Sequence, residues 1–423
     1  MPFLGHVNPM LTIAADLAAR GHEVVFLGGR HFADRARAGG AEFVPLPEEI
    51  DFDEGRLDER FPERAGFPGV QQAGFDLMHV FMDPAPLQFD ALSEILARFP
   101  ASAVVCDGLF LGGQALALSR PRTQRPRVIS IGTSPPAMHS ADVDPFGTPP
   151  PLLPISADAR AHNLAVNAEI ERMSAPLREH AVGVFEKVGV QWPPGFVGTA
   201  LVSAVDHYLQ LTVPALQYSR SDAPEGFACI GPIMPGFGAT PPDPPWPRPV
   251  EDPVVVVTQG SVANRDLTEL VVPTLSAFAE GGAFVAAVTA REDGPDLVTG
   301  LLGSVPSNAG VYGYVPYEAV IPYADVVVTN GGGTGLHMAL AAGVPLVVAG
   351  ESEDKADYAE LVQWSGMGIN LHTSRPEPDE IRRAVTAVLA DPLYRCNARR
   401  AQREIAECRP LEMIAALADQ HSE

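Results

Sequence analysis

Asn330-Gly331-Gly332-Gly333-Thr334 follows the β-branched run Val326-Val327-Val328-Thr329 and precedes a small-residue stretch, Leu336 to Ala342, that stops at Gly343-Val344-Pro345. A further apolar run, Leu346 to Ala349, comes next. The segment therefore reads as strand, glycine turn, helix and strand, a βαβ unit. Glycines at a strand's carboxyl end let the backbone approach a ligand closely, and the unpaired N–H groups that open the next helix sit at its positive pole. The chemistry on offer is anion binding, in a gap the size of a nucleotide diphosphate. Plain packing of a helix on its strands uses the same glycines, and the turn alone leaves that reading open.

The composition excludes several other kinds of chemistry. A net charge of −23 and a pI near 4.8 oppose binding to a nucleic-acid backbone or an anionic lipid surface, both of which need a basic face. No apolar run reaches the ~18 to 20 residues that span a bilayer, and no basic region followed by an apolar core opens the chain, so neither membrane insertion nor export is expected. Cys106, Cys229, Cys396 and Cys408 are scattered, without CxxC or His-Cys ligand spacing. They read as reduced thiols of a cytoplasmic protein rather than as ligands of a structural zinc.

The elements that must position the glycine turn are α/β. A length of 423 residues allows two or three domains. In the first half, Pro9 to Arg20 carries apolar residues at Met10, Ile13, Ala14, Leu17 and Ala18 and ends at Gly21, which predicts a helix with proline at its start. Strands are predicted at Glu23 to Leu27, Ala103 to Cys106 and Val128 to Ile131, with helices at Leu87 to Arg98 and Phe110 to Ser119. Such alternation implies a doubly wound, mostly parallel sheet. The Pro-, Ser- and Asp-rich stretch from Gly132 to Pro154 reads as an irregular loop.

Proline-dense sequence from Pro232 to Pro253, including Pro241-Pro242-Asp243-Pro244-Pro245-Trp246-Pro247, reads as a stiff linker. A second α/β half follows: a strand at Val254 to Thr258, a turn at Gln259-Gly260-Ser261, a helix from Asp266 to Glu280, then strands at Ala283 to Val288 and Val326 to Thr329. Two α/β domains joined in this way would leave a cleft suited to two substrates.

The series Gln259-Gly260-Ser261, Gly313-Tyr314-Val315-Pro316, Asn330-Gly331-Gly332-Gly333, Gly343-Val344-Pro345, Glu353-Asp354-Lys355 and Gly366-Met367-Gly368-Ile369 resembles the donor-binding half of the GT-B glycosyltransferases. The closest likeness is to the inverting branch that glycosylates macrolides, aromatic polyketides and plant secondary products. Gly5-His6-Val7-Asn8-Pro9 is similar to that branch's acceptor-domain opening. The resemblance implies two Rossmann-like, doubly wound domains facing across a cleft. An acceptor domain would span 1–233, a linker 234–253 and a donor domain 254–394, with a C-terminal helix in 395–423 returning to the first domain.

The family's roles transfer by position. His6 matches the general base that takes the acceptor's hydroxyl proton, a task suited to imidazole, and Asp107 matches the carboxylate that orients it. Tyr314 stands where a tryptophan often stacks on the nucleobase, with the Val315 backbone at the base edge. Ser261 and the turn Gly331 to Thr334 would hold the diphosphate, and Glu353, Asp354 and Lys355 the sugar hydroxyls.

This chain also departs from the pattern. Asn330 replaces a histidine on the diphosphate, keeping a donor without a charge. Met338 replaces a glutamate that holds the ribose hydroxyls, which leans toward a dTDP-sugar over a UDP-sugar. Lys355 replaces glutamine, leaving the sugar's hydroxyl pattern open and a deoxysugar plausible. Only five residues precede His6, where the resemblance places a first strand. Met1 is accordingly read as a late start, with that strand lying upstream.

The resemblance implies a one-step displacement at the anomeric carbon with inversion, and no metal or other cofactor. Asp51-Phe52-Asp53 and Asp142-Val143-Asp144 have the Asp-x-Asp spacing of metal-using GT-A transferases but read as solvated loops. The expected partners are a nucleotide-sugar donor and a small hydrophobic acceptor, with the oligomeric state open. Two rival readings share the fold: a sugar-nucleotide epimerase, which needs no acceptor, and a non-catalytic nucleotide-sugar-binding auxiliary protein. The joint presence of His6 and Asp107 favours the transferase.

Overall fold

The computed structural model describes residues 3–67, 69–143, 156–234, 241–247, 252–260, 264–352 and 354–420. The chain divides into two compact units. One holds the chain up to Leu211, Tyr218–Ile233 and the chain from Arg409 onward; the other holds Thr212–Gln217 and Met234–Cys408. The return to the first unit thus begins at Arg409, and the helix Pro392–Glu407, part of the stretch expected to return, stays with the second.

In the first unit, β1 (Val25–Gly28) and β2 (Glu42–Pro45) form a parallel pair. A separate parallel sheet runs β3 (Ala103–Asp107), β4 (Arg127–Gly132), β5 (His207–Gln210) and β6 (Phe227–Cys229), in that order. β4 is buried along its whole length, as expected of a parallel strand covered on both faces. The helix predicted from Pro9 begins earlier. It spans Leu4–Ala19, with the Phe3 carbonyl accepting from the His6 and Val7 N–H groups and Pro9 inside. Proline at that position forgoes one hydrogen bond in the second turn, and the flanking apolar face, Val7, Leu11, Ile13, Ala14 and Leu17, is buried and holds the helix regardless. Its predicted end stands, at Gly21 with φ +96°.

The second unit is a six-stranded, all-parallel sheet. Its strands are β7 (Val254–Thr258), β8 (Phe284–Val288), β9 (Ala309–Tyr312), β10 (Val326–Thr329), β11 (Leu346–Val348) and β12 (Gly368–Asn370). They lie in the order β12-β11-β10-β7-β8-β9. The chain winds outward from β7 in one direction and from β10 in the other, so the order reverses between those two strands. Ligands of open α/β sheets bind at such a reversal, outside the strands' carboxyl ends. The helix predicted over Asp266 to Glu280 is shorter, Val271–Ala277. Pro273 belongs in a first turn, and Asp266 instead accepts from the Thr268 N–H in a preceding turn. The described part of the linker packs on this unit through Trp246, which is 4% exposed and 5.5 Å from the Tyr312 ring.

Candidate active site

In the first unit the carboxyl ends of β3 and β4 carry Asp107 and, one residue past β4, Thr133. His6 projects from the first turn of Leu4–Ala19. Its Nδ1 lies 2.9 Å from Asp107 Oδ2 and 3.0 Å from Thr133 Oγ1. With the proton on Nδ1 shared toward these two oxygens, the imidazole lone pair is on Nε2, the tautomer a general base needs. Asp107 is buried, and its Oδ1 accepts from the Leu109 N–H at 2.9 Å. Burial pushes the Asp107 pKa up, but the His6 imidazole and the Leu109 N–H more than offset this, and the carboxyl falls below its ordinary value. Beside it, burial first and then the Asp107 charge push the Cys106 thiol up to about 12, which makes this cysteine inert. Aromatic rings gather at the imidazole: Phe3 and Phe81 at 6.0 and 6.2 Å, and Phe52 at 5.7 Å from Phe3.

In the second unit the loops after β7 and β10 meet at the sheet's reversal, where Asn330 Nδ2 donates to the Gln259 carbonyl at 2.6 Å. Gly331 has φ +87°, and a Cβ there would stand 3.0 Å from Val348 Cγ1, so both conformation and space call for glycine. Gly332 is the N-cap of the helix Gly333–Ala341, and no side chain among the described residues caps it. Its first N–H groups, with those of Gly333 and Thr334 among them, form a positive pole suited to an anion.

The remaining expected donor residues fall as follows. Tyr314 is 75% exposed, just past β9, and offers an open ring face; the Val315 backbone follows it. Lys355 sits on a helix. It is buried, it opens the helix Lys355–Trp364, and its Nζ donates to Ser352 Oγ at 3.2 Å. It lies beside the glycine turn, its carbonyl 3.2 Å from where a Gly331 Cβ would stand. Asp354 is the N-cap of that helix. Ser261 and Glu353 lie outside the described residues.

One expectation is corrected. Asp142 is no solvated loop residue: it is fully buried, paired with Arg160 and accepting from the Ser221 N–H, so its oxygens are committed within the fold. Asp51 is likewise taken by the Arg30 N–H at 3.0 Å and the Arg30 guanidinium. Asp144 lies outside the described residues.

Sequence reasoning missed Thr133, Tyr317 and His337. Tyr317 Oη is 2.9 Å from Thr258 Oγ1 at the end of β7, and its ring lies 3.5 Å from where a Gly335 Cβ would stand. His337 Nδ1 is 2.7 Å from the Gly333 carbonyl and Nε2 is 3.0 Å from Thr212 Oγ1. The spacing from Gly333 to His337, one helical turn, was the available signal for the first of these bonds.

Comparison with known proteins decides the family. The family described as "Erythromycin biosynthesis protein CIII-like, C-terminal domain" matches residues 285–419. The chain is 36% identical to 4'-demethylrebeccamycin synthase of Lentzea aerocolonigenes, over 95% of this chain and 93% of that protein. It is 32% identical to UDP-glycosyltransferase 2 of Phaeomoniella chlamydospora, over 98% of this chain and 93% of that protein. The chain belongs to the GT-B glycosyltransferases. Among solved structures, this glycosyltransferase is similar to the glycotransferase of kitacinnamycin, with a TM-score of 0.72 and 25% identity over 100% of this chain and 97% of that one. The calicheamicin glycosyltransferase CalG4 shares the fold at a TM-score of 0.71, with 24% identity over 97% and 94% of the two chains. The enzyme is thus of the UDP-glycosyltransferase and macrolide type, within the secondary-metabolite branch. No described helix is long and apolar enough to cross a membrane.

Proposed function

We propose that this glycosyltransferase moves a sugar from a dTDP- or UDP-sugar to a hydroxyl of a small apolar natural product, inverting the anomeric carbon. His6 Nε2 takes the acceptor's proton as the acceptor oxygen bonds to that carbon. The bond to the diphosphate breaks, and its electron pair leaves on the diphosphate oxygen. Asp107 stays ionised and stabilises the imidazolium. The helix pole at Gly332–Thr334, the Asn330 amide and Ser261 stabilise the departing charge, Tyr314 and the Val315 backbone hold the base, and Asp354, Lys355 and Glu353 hold the sugar. No metal or other cofactor enters these steps.

The single observation that carries the reading is the 2.9 Å contact between His6 Nδ1 and the buried, ionised Asp107. Phe3 and Phe81 beside the imidazole, with Phe52 against Phe3, suit an aromatic or otherwise apolar acceptor, and the 36% identity to 4'-demethylrebeccamycin synthase supports a natural product. Four cysteines that form no disulfide among the described residues suit the cytoplasm.

The test is to incubate the enzyme with dTDP- and UDP-sugars and a panel of phenolic and macrolide acceptors, following nucleotide diphosphate release and product mass. Acceptor-dependent release, absent in His6→Ala, is the expected result. Donor conversion without acceptor would replace the reading with an epimerase, and nucleotide binding without turnover with an auxiliary protein.

A further inference from the structure

Three side chains that the sugar transfer leaves unused converge in the first unit. His79 lies on the π-helical segment Asp76–Met82, Asp83 caps that segment's end, and His180 faces them from the helix Ala175–Glu186. His79 Nδ1 is 2.9 Å from Asp83 Oδ2, and His180 Nε2 is 2.8 Å from Asp83 Oδ1. The two imidazoles stand edge to face with centroids 5.3 Å apart, and one ligand atom from each of the three residues lies within 4.8 Å of the others.

We propose that His79 Nδ1, Asp83 and His180 Nε2 bind one divalent transition-metal ion of the Zn2+ class, with a solvent molecule completing the shell. Two imidazoles and one carboxylate suit zinc and its neighbours in the first transition row; magnesium and calcium take oxygen ligands almost throughout. His79 and Asp83, four residues apart, share one helical face, the spacing by which a helix chelates an ion. Bonds of about 2.0–2.1 Å at tetrahedral angles set ligand atoms about 3.4 Å apart, so shifts of roughly 1 Å close the set. The ion takes the lone pair of a neutral imidazole at His79 Nδ1 and His180 Nε2, the ring proton of each sitting on its other nitrogen, in place of the present imidazole–carboxylate contacts.

The backbones that present the ligands are already fixed. Met82 packs with Ala181, Val184 and Phe185 in one buried cluster, with Leu77 and Phe81 against it. Arg64 pairs with Asp76 at 2.8 Å at the segment's start, and the Phe75 ring lies 4.6 Å from His79. Side chains that are 37%, 40% and 25% exposed, for His79, Asp83 and His180, leave a path for entry. A bound ion clips the π-helical segment to the helix behind it. π-Helical turns are rare, and such a tie gives this one a purpose.

The test uses the full chain, stripped with chelator and titrated with ZnCl2 by calorimetry, with Co2+ visible absorption as a second readout. One site per chain is expected, with a rise of roughly 3 °C or more in Tm at saturation. The site is lost in the His79→Ala/His180→Ala double variant, while circular dichroism stays unchanged. Asp83→Asn, close in shape, repeats the reading if the double variant fails to fold, and it weakens binding at least about tenfold. Absence of binding, or one-site binding that survives in these variants and so comes from the cysteines or other histidines, overturns the proposal. Neither outcome depends on whether the chain transfers sugar.

Discussion

Two imidazoles sit near the starts of two helices, one in each unit, and their partners make them opposites. His6 shares its Nδ1 with an ionised carboxylate, an arrangement that favours taking a proton. His337 is enclosed, its nitrogens on the Gly333 carbonyl and the Thr212 hydroxyl, and burial drives its pKa down to about 4. With Nδ1–H donating to Gly333 and Nε2 accepting from Thr212, it is a neutral strut that pins the glycine turn. Residue type alone does not separate the proposed base from the strut; the charge of the nearest acceptor does.

The sharpest break of this contrast is His6→Ala. It should lower acceptor-dependent kcat by roughly 10²- to 10⁴-fold, with a fall in Tm because the buried Asp107 loses its partner, and Asp107→Asn should lower kcat in the same direction. An unaltered rate would make His6 another strut.

For His337 the expected signature is stability against pH. The folded value of about 4 lies below an unfolded imidazole's ~6.5, so the unfolded chain binds this proton first. The stabilisation is complete above about pH 6.5 and drains away as pH falls toward 4, roughly 3 kcal/mol in all. Asp107 also drains on the acid side, but only below its unfolded value near 3.8. Urea midpoints between pH 7 and 4, read against His337→Gln, check this. A slope that persists in the variant would assign it elsewhere.

Gly331→Ala tests the turn that His337 pins. Positive φ and the close Val348 methyl should cost about 1–3 kcal/mol in stability, with weaker nucleotide diphosphate binding measured by calorimetry. The smallest effect is expected at Tyr314→Ala. Loss of a stacking face should raise the donor Kd roughly tenfold without touching kcat, whereas Tyr314→Trp should tighten it.

Legibility in the sequence followed the range of the interactions. The strands β7 and β10 and the glycine turn are local patterns, and the β-branched run that reads as buried is buried. His6 and Asp107, 101 residues apart, became a pair in the reading only because their flanking motifs resemble a known family. Thr133 and Thr212 have no motif around them; their roles arise from chain paths that bring them to an imidazole. The polar run Glu353-Asp354-Lys355 gives no sign of burial, yet the helix that Lys355 opens carries it into the interior. The start of Leu4–Ala19 was misplaced because proline signals a first turn more strongly than it forbids a second.

The short segment Thr212–Gln217 lies with the second unit although the main passage into that unit comes at Met234. Recombination between relatives at the proline linker would therefore give His337 a Thr212 position inherited from the other parent. Such chimeras should succeed when both parents carry a hydroxyl there, or when the crossover moves upstream of Thr212, and should lose the turn's support otherwise. The boundary that matters for exchanging the second unit is thus set by one hydrogen bond rather than by the linker.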